Sequence, residues 1–394
     1  MYWTTHLEGG PRRVNHAAVA ICDKIYSFGG YCTGENYNKK RPMDVHILNT
    51  VSLRWISVPV PKAKDPQYQC VPFQRYGHTA VVYKNRVYIW GGRNDAYCCN
   101  TLYCFDSEFL TWSTPSVTGL IPKGKDGHSA CVIRDVMYIF GGFDVDQSRF
   151  SQDVWAFNFV KMHWTLLRTQ GNPPMFRDFH SATACGTRMY IFGGRGGESG
   201  QYSSQHEVYC PVIMFLDTLT NCWQTPASIG DVPVGRRSHS ASNCDDLQFF
   251  VCLFVSVMYD GYLYIFGGYN SLCNKHYNDL YRYNPVLSQW EAVKTLGTPP
   301  CKRRRQMGVV LDDRLFVFGG TSPRDDVDDD SLVEKLIDHD DLHILDFAPS
   351  LRKLCLMTVL DYKLDQSCLP LNVKWDLKTM TTDNCIARQL TSSG

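Results

Sequence analysis

Short runs of alternating apolar and polar residues fill most of the chain, and a recurring apolar run ends at a glycine pair. These runs read "IYSFGG", "VYIWGG", "MYIFGG", "MYIFGG", "LYIFGG" and "LFVFGG". They close at Gly29/Gly30, Gly91/Gly92, Gly141/Gly142, Gly193/Gly194, Gly267/Gly268 and Gly319/Gly320. Runs of this length, rich in aromatic and β-branched types and closed by glycine, predict strands followed by turns. Thirteen residues before the first glycine stands His16, His78, His128, His180 or Gln306; the fifth unit alone departs. After each pair a further strand ends in Asn or Asp, and six residues later comes Trp55, Trp112, Trp164, Trp223 or Trp290.

The sixth unit runs "HILDF" and has no tryptophan strand, whereas the chain begins "YWTTHL", a tryptophan strand with no unit before it. Trp3 is therefore expected to supply the missing outer strand and so to remove a free edge. The glycine pairs, the tryptophans and a period near 50 residues resemble the kelch repeat, which implies four strands per blade. The expected fold is all-β: a six-bladed kelch β-propeller over residues 1–347, closed by the N-terminal strand, then a short helical C-terminal tail over residues 348–394.

The fifth unit is stretched. His239 precedes Gly267 by 28 residues, an excess of 15, and residues 243–257 carry the apolar run "LQFFVCLFVSV". The expectation places this insert between the innermost strand and its neighbour, on the face away from the candidate pocket. It is either a functional loop or an accident of gene prediction such as a retained in-frame intron, and the second account is preferred.

Composition changes the picture little. Formal net charge is +1 over 394 residues, so global charge points to neither nucleic acid nor an acidic partner. The 17 cysteines are odd in number and form no C-x-x-C pair, and "MYWTTHLEGG" has no basic and apolar leader pattern. Reduced thiols in the cytoplasm or nucleus are expected. Cys98, Cys99 and Cys104 could hold a metal, but their spacing is read as coincidence, and no metal or cofactor is expected. No run is long enough to cross a bilayer as a helix.

Charge placement is more informative. The loops entering the innermost strands read "PRRVNH", "QRYGH", "KDGH", "FRDFH", "GRRSH" and "RRRQ". Antiparallel order puts these loops on one face with the segments that follow the glycine pairs. Arg75, Arg177, Arg236 and Arg237, joined by Arg93 and Arg195, are candidates for a basic mouth that binds an anion. A competing reading has such repeated arginines bonding carbonyls of neighbouring blades, or Asp126 and Asp178. The recurring histidines are read as scaffold hydrogen bonds. The acidic segment "RDDVDDD" falls on the same face, as a solvated loop or a clamp for a basic ligand side chain.

"PSLRKLCLMTVL" stands apart. Leu351, Cys355 and Val359 recur at helical spacing, with Pro349 suited to a first turn. Ser350, Leu351, Cys355 and Val359 resemble the elongin-binding BC box. Leu369, Pro370, Val373 and Leu377, in "LPLNVKWDL", resemble a cullin-2 box. Both boxes after a complete propeller are similar to the kelch-domain substrate receptors of cullin-2 ubiquitin ligases. That resemblance implies elongin C, elongin B and cullin-2 as partners, and capture of client proteins through a C-terminal glycine. It implies no catalysis by the chain itself. A kelch scaffold, cytoskeletal or chromatin-associated, is the rival reading. An enzyme is disfavoured because no sialidase-type box and no repeated carboxylate pairing occurs.

Overall fold

The computed structural model describes residues 1–201, 207–240, 257–324 and 336–386. Six antiparallel blades surround a central channel. Blade one comprises Ala17–Ile21, Lys24–Phe28, Val45–Asn49 and Arg54–Ser57, paired in that order from inside outward. In blade six the order is Met307–Leu311, Arg314–Phe318, Leu342–Asp346 and then Tyr2–Leu7. The first strand of the chain thus completes the last blade, with Trp3 opposite Leu345 and Leu7 opposite Leu342.

The repeated aromatics explain why blades adhere. Each outer-strand tryptophan packs on the aromatic that precedes the glycine pair of the preceding blade. Trp55 meets Phe318 at 5.1 Å between ring centroids, Trp112 meets Phe28 at 5.9 Å, and Trp164 meets Trp90 at 5.7 Å. Trp223 on Phe140, Trp290 on Phe192 and Trp3 on Phe266 complete the set at 5.1, 5.2 and 5.6 Å. All six tryptophans are buried. Such pairs contribute about 0.5–1.5 kcal/mol each beyond area burial. Trp3 therefore closes the ring with the same contact that joins every other neighbour.

The glycine pairs have a steric reason. Gly91 has φ +71°, and a Cβ there would meet the His128 ring at 2.4 Å and the Lys125 carbonyl at 2.8 Å. Only glycine lets the next blade approach so closely. The histidines behave as expected in most blades. Nε2 of His128, His180 and His239 lies 2.8, 2.7 and 2.9 Å from the hydroxyls of Thr79, Ser129 and Ser181, and His78 meets the Phe28 carbonyl at 3.1 Å. Gln306 donates to Ser240 Oγ at 3.2 Å. His16 differs: neither ring nitrogen has a partner among the described residues, and burial pushes its imidazole down to about 3.

Blade five departs from expectation. Its hairpin turn is the ordinary two-residue kind, Asp260-Gly261, with both residues left-handed. The excess chain instead interrupts the innermost strand. Ser240 bridges Phe266, and Val257 pairs with Tyr264 two positions on. One residue between them would keep register, as Ala182 does between Ser181 and Thr183 in blade four. Sixteen residues stand there instead, so the excess of fifteen is inside the strand, and Val257 belongs to the strand rather than to the insert. Residues 243–256 themselves lie outside the described residues, as does the acidic run 325–330.

Deleting residues 242–256 joins Ala241 to Val257 and restores an uninterrupted inner strand. Closing a loop of this length costs about 2 kcal/mol, so the deletion should raise the melting temperature by a few degrees and reduce aggregation. Differential scanning calorimetry checks this; a lower melting temperature would mean that the segment contributes to the fold.

Candidate functional site

The channel mouth is built by two rings of backbone hydrogen bonds. The residue before each recurring His or Gln is left-handed: Asn15, Gly77, Gly127, Phe179, Ser238 and Arg305 have φ between 51° and 67°. In that conformation each N–H donates to the equivalent carbonyl of the preceding blade, at 2.7–3.2 Å. Gly77 bonds Asn15, Gly127 bonds Gly77, and so on around to Asn15, which bonds Arg305. A second ring runs from the second glycine of each pair to the next blade, from Gly30 to the Arg75 carbonyl at 2.8 Å through to Gly320 and the Arg13 carbonyl at 2.9 Å.

These rings sort the loop arginines into two populations. Three residues before the His or Gln, the side chain turns into its own blade. Arg75, Arg177 and Arg236 are buried there. Their Nη1 atoms donate to the carbonyls of Gly91, Gly193 and Gly267 at 3.1, 2.7 and 3.1 Å, and their Nε atoms donate to Phe73, Met175 and Val234. Arg236 also pairs with Asp279, and Arg303, at the same position of blade six, pairs with Asp341. Lys125 does the same job in blade three through Ser151 and Asp153. The structure thus places Arg75, Arg177 and Arg236 inside the blades, where they satisfy main-chain acceptors, and they do not line the mouth.

Two residues before the His or Gln, the chain pairs with the residue after the glycine pair of its own blade. The pairs are Val14/Tyr31, Tyr76/Arg93, Asp126/Phe143, Asp178/Arg195, Arg237/Tyr269 and Arg304/Thr321. This brings Arg93, Arg195 and Arg237 to the mouth and adds Arg304 and Arg305. Arg195 is held by Asp178, with Nε at 3.1 Å and Nη2 at 2.8 Å, and by Glu207 at 3.4 Å. Arg93 lies over Tyr76 at 5.9 Å.

Arg237 and Arg305 are different. Arg237 lies over Tyr269 at 5.6 Å, and Arg305 donates to the Tyr31 hydroxyl at 2.7 Å. Neither has a carboxylate within ion-pair distance among the described residues. Burial lowers the Arg237 guanidinium from its ordinary value and the Arg195 charge lowers it further, against Tyr209 and Asp178, which act to raise it. Burial likewise lowers Arg305, with Arg304 and Arg195 adding to it. Confined positive charge at a concave rim is a site for an anion.

The adjoining sector of the rim, in blades three and four, carries the carboxylates Asp126 and Asp178. Burial, and then the neighbouring Asp178 charge, push the Asp126 carboxyl up to about 7, and its Oδ1 has no partner among the described residues. The competing expectation, that arginines bond neighbouring carbonyls or Asp126 and Asp178, holds for Asp178 with Arg195. Tyr31 and Tyr269 directly follow a glycine pair and Tyr76 stands two residues before His78, so the phase of the repeat marks all three as rim positions. Beside this side of the mouth lies a cavity of ≈ 440 Å³ lined by Leu120, Ile121, Phe150, Trp155 and Phe176. Arg195 sits 5.6 Å over Phe150.

The tail forms two helices, α1 (Leu351–Asp361) and α2 (Leu371–Thr381). Ser350, not Pro349, caps α1, accepting from the Lys353 amide at 3.2 Å. Leu356, Met357, Leu377 and Met380 form the core between the helices, with Val359, Leu369 and Val373 packed at its edge. Leu377 is therefore internal rather than presented to a partner. Leu351 is 77% exposed, Leu371 85% and Trp375 49%, and Cys355 and Pro370 are also exposed. Leaving α2, the chain docks on the propeller, where the Asn384 amide donates to the Glu8 carbonyl at 2.8 Å and the Trp55 amide to Asn384 Oδ1 at 3.0 Å.

Comparison with known proteins agrees with this architecture. A family model described as the KLHDC2/KLHL20/DRC7 kelch-repeats domain matches residues 77–320 and 252–350, and a kelch-motif model matches residues 12–62. The chain is 49% identical over 395 residues to kelch domain-containing protein 3 of Bos taurus, and 48% identical to the Homo sapiens protein of that name. In both cases 99% of each chain is covered. Host cell factor 2 of Homo sapiens is 27% identical over 261 residues, 64% of this chain and 31% of that protein.

A carboxyl held near 7 by burial makes the fold sensitive to pH. With its folded value raised above the ordinary 3.8, Asp126 contributes stability that is fully present below that value and is lost as pH rises through about 7. Asp126→Asn should therefore melt like the parent near pH 4 and a few degrees higher near pH 8. Thermal melts across that range check it; a parallel offset at every pH would contradict the assignment.

Proposed function

The chain belongs to the family of kelch domain-containing protein 3, and from that premise we infer that it is a substrate receptor that binds protein C-termini at its basic mouth and hands them to a cullin-2 ubiquitin ligase. Kelch propellers serve in general as protein-interaction modules, and the kelch models match this chain over residues 12–62 and 77–350. The observation that carries the finer reading is the pair Arg237 and Arg305, two half-buried guanidiniums without a carboxylate partner among the described residues. A peptide C-terminus offers one carboxylate at the end of a narrow chain. It can take charge-assisted bonds worth about 1.5–3 kcal/mol each. A terminal glycine suits a rim crowded by Tyr31, Tyr76 and Tyr269, because a Cβ would have to fit between them. The cavity beside Phe150 is placed to take residues further upstream.

The tail supports the second half of the reading. α1 buries Leu356 and Met357 but presents Leu351 and Cys355 outward, and α2 presents Leu371 and Trp375. An apolar helix face left exposed beside a packed one fits a helix-in-groove partner. Leu351 and Cys355 are assigned to elongin C, with Val359 bracing the helix from beneath; Pro370 starts the helix offered to cullin-2. Elongin B would join through elongin C.

Fluorescence anisotropy with a glycine-ending peptide, its amide and an alanine-ending version tests the mouth. The free glycine acid should bind at least tenfold tighter than the others, and Arg237→Ala should weaken only the acid. Equal binding of acid and amide would leave an interaction module with no preference for chain ends. For the tail, Leu351→Ala with Cys355→Ala should abolish elongin pulldown and leave the melting temperature within a degree, because both side chains are exposed. Undiminished pulldown would remove the ligase assignment while leaving peptide binding standing.

A further inference from the structure

The strand that closes the propeller meets blade six with two histidines face to face. His6 and His343 stand directly opposite in antiparallel register, and their rings stack with centroids 4.2 Å apart. Asp341 Oδ2 lies 3.1 Å from His343 Nε2, and Glu8 Oε1 lies 2.7 Å from His6 Nε2. One ligating atom from each of His6, Asp341 and His343 falls within 4.8 Å of the others, and among the described residues no other trio of His, Cys, Asp or Glu comes so close. The His343 ring is buried, only 4% exposed, yet its Nδ1 has no hydrogen-bond partner among the described residues. His6 lies at the surface, which leaves a path from solvent.

We propose that His6, His343 and Asp341 bind a divalent transition-metal ion, with zinc the best match, and that the ion fastens the first strand to the last blade. Two imidazoles and a carboxylate are a donor set that suits zinc. Glu8 is placed either to take the fourth position or to orient His6. Donor atoms around tetrahedral zinc stand about 3.4 Å apart, given bonds near 2.1 Å. A rotation of the exposed His6 ring closes the remaining gap. Arg303 already holds both Asp341 oxygens at 2.6 Å. A carboxylate has about four lone-pair sites, so Asp341 can serve both, and the Glu8 charge offsets that of Arg303. His6 is more than 330 residues from Asp341 and His343 in the chain, so only the closed propeller assembles the three. Metal binding is then coupled to closure and stabilises the folded state by mass action.

The full chain, stripped with a chelator, would be titrated with zinc and followed by its melting temperature, and with cobalt(II) followed by visible absorption. The proposal expects one ion per chain and a rise of several degrees with zinc. It also expects cobalt bands without a thiolate charge-transfer band. His6→Gln, at an exposed position that leaves the core intact, should abolish the shift and the cobalt spectrum. Cys301→Ser should change neither; Cys301, whose sulfur lies 3.5 Å from His339 Nε2, is the neighbouring thiol–imidazole pair. No zinc-dependent shift, a shift unchanged in His6→Gln, or a thiolate band lost in Cys301→Ser would each overturn the assignment.

Discussion

Everything at the mouth depends on six residues held left-handed in a closed circle of backbone hydrogen bonds. For Gly77 and Gly127 this conformation is free of strain. For Asn15, Phe179, Ser238 and Arg305 it costs on the order of 1–2 kcal/mol each, offset because each amide finds its partner in the neighbouring blade. The circle fixes the phase of every loop that enters an inner strand. Side chains at the third position before the His or Gln must enter the blade, and those at the second and first positions are delivered to the channel rim.

That phase turns a basic sequence into a divided surface. Arg75, Arg177, Arg236 and Arg303 become internal struts, each donating to the carbonyl of a glycine pair. Around the rim the charges split by sector. Blades three and four carry Asp126, Asp178 and the ion-paired Arg195. Blades five and six carry Arg237, Arg304 and Arg305, with Tyr31 and Tyr269 as their apolar backing. A net charge of +1 thus conceals a mouth whose charges are unevenly divided, and the proposed binding of a chain end would use that division to set its direction.

Much of this was legible in the chain. Glycine pairs, outer tryptophans and the orphan Trp3 strand were enough for six blades and their closure, because each is a direct steric or packing requirement. The roles of individual arginines were not legible. Arg236 and Arg237 are adjacent and identical in type, and only the backbone phase separates a strut from a rim residue. The length of the blade-five insert does not say which side of a hairpin it interrupts, whereas "YDGY" marks an intact turn. Leu377 was assigned outward on motif spacing, but the helix pair needs it inside. His6, Asp341 and His343 share no motif in the chain, because His6 and His343 meet only through closure of the ring.

The tail and the mouth are separate surfaces, and the tail is bonded to the propeller through Glu8, Trp55 and Asn384. The proposed receptor would bind a chain end without altering the helices. Hydrogen–deuterium exchange of the full chain, with and without a saturating glycine-ending peptide, tests this most directly. Added protection should appear in residues 12–16, 236–240 and 302–306, with no change in residues 351–381. Protection confined to the turns of the opposite face, or to the two helices, would contradict the account.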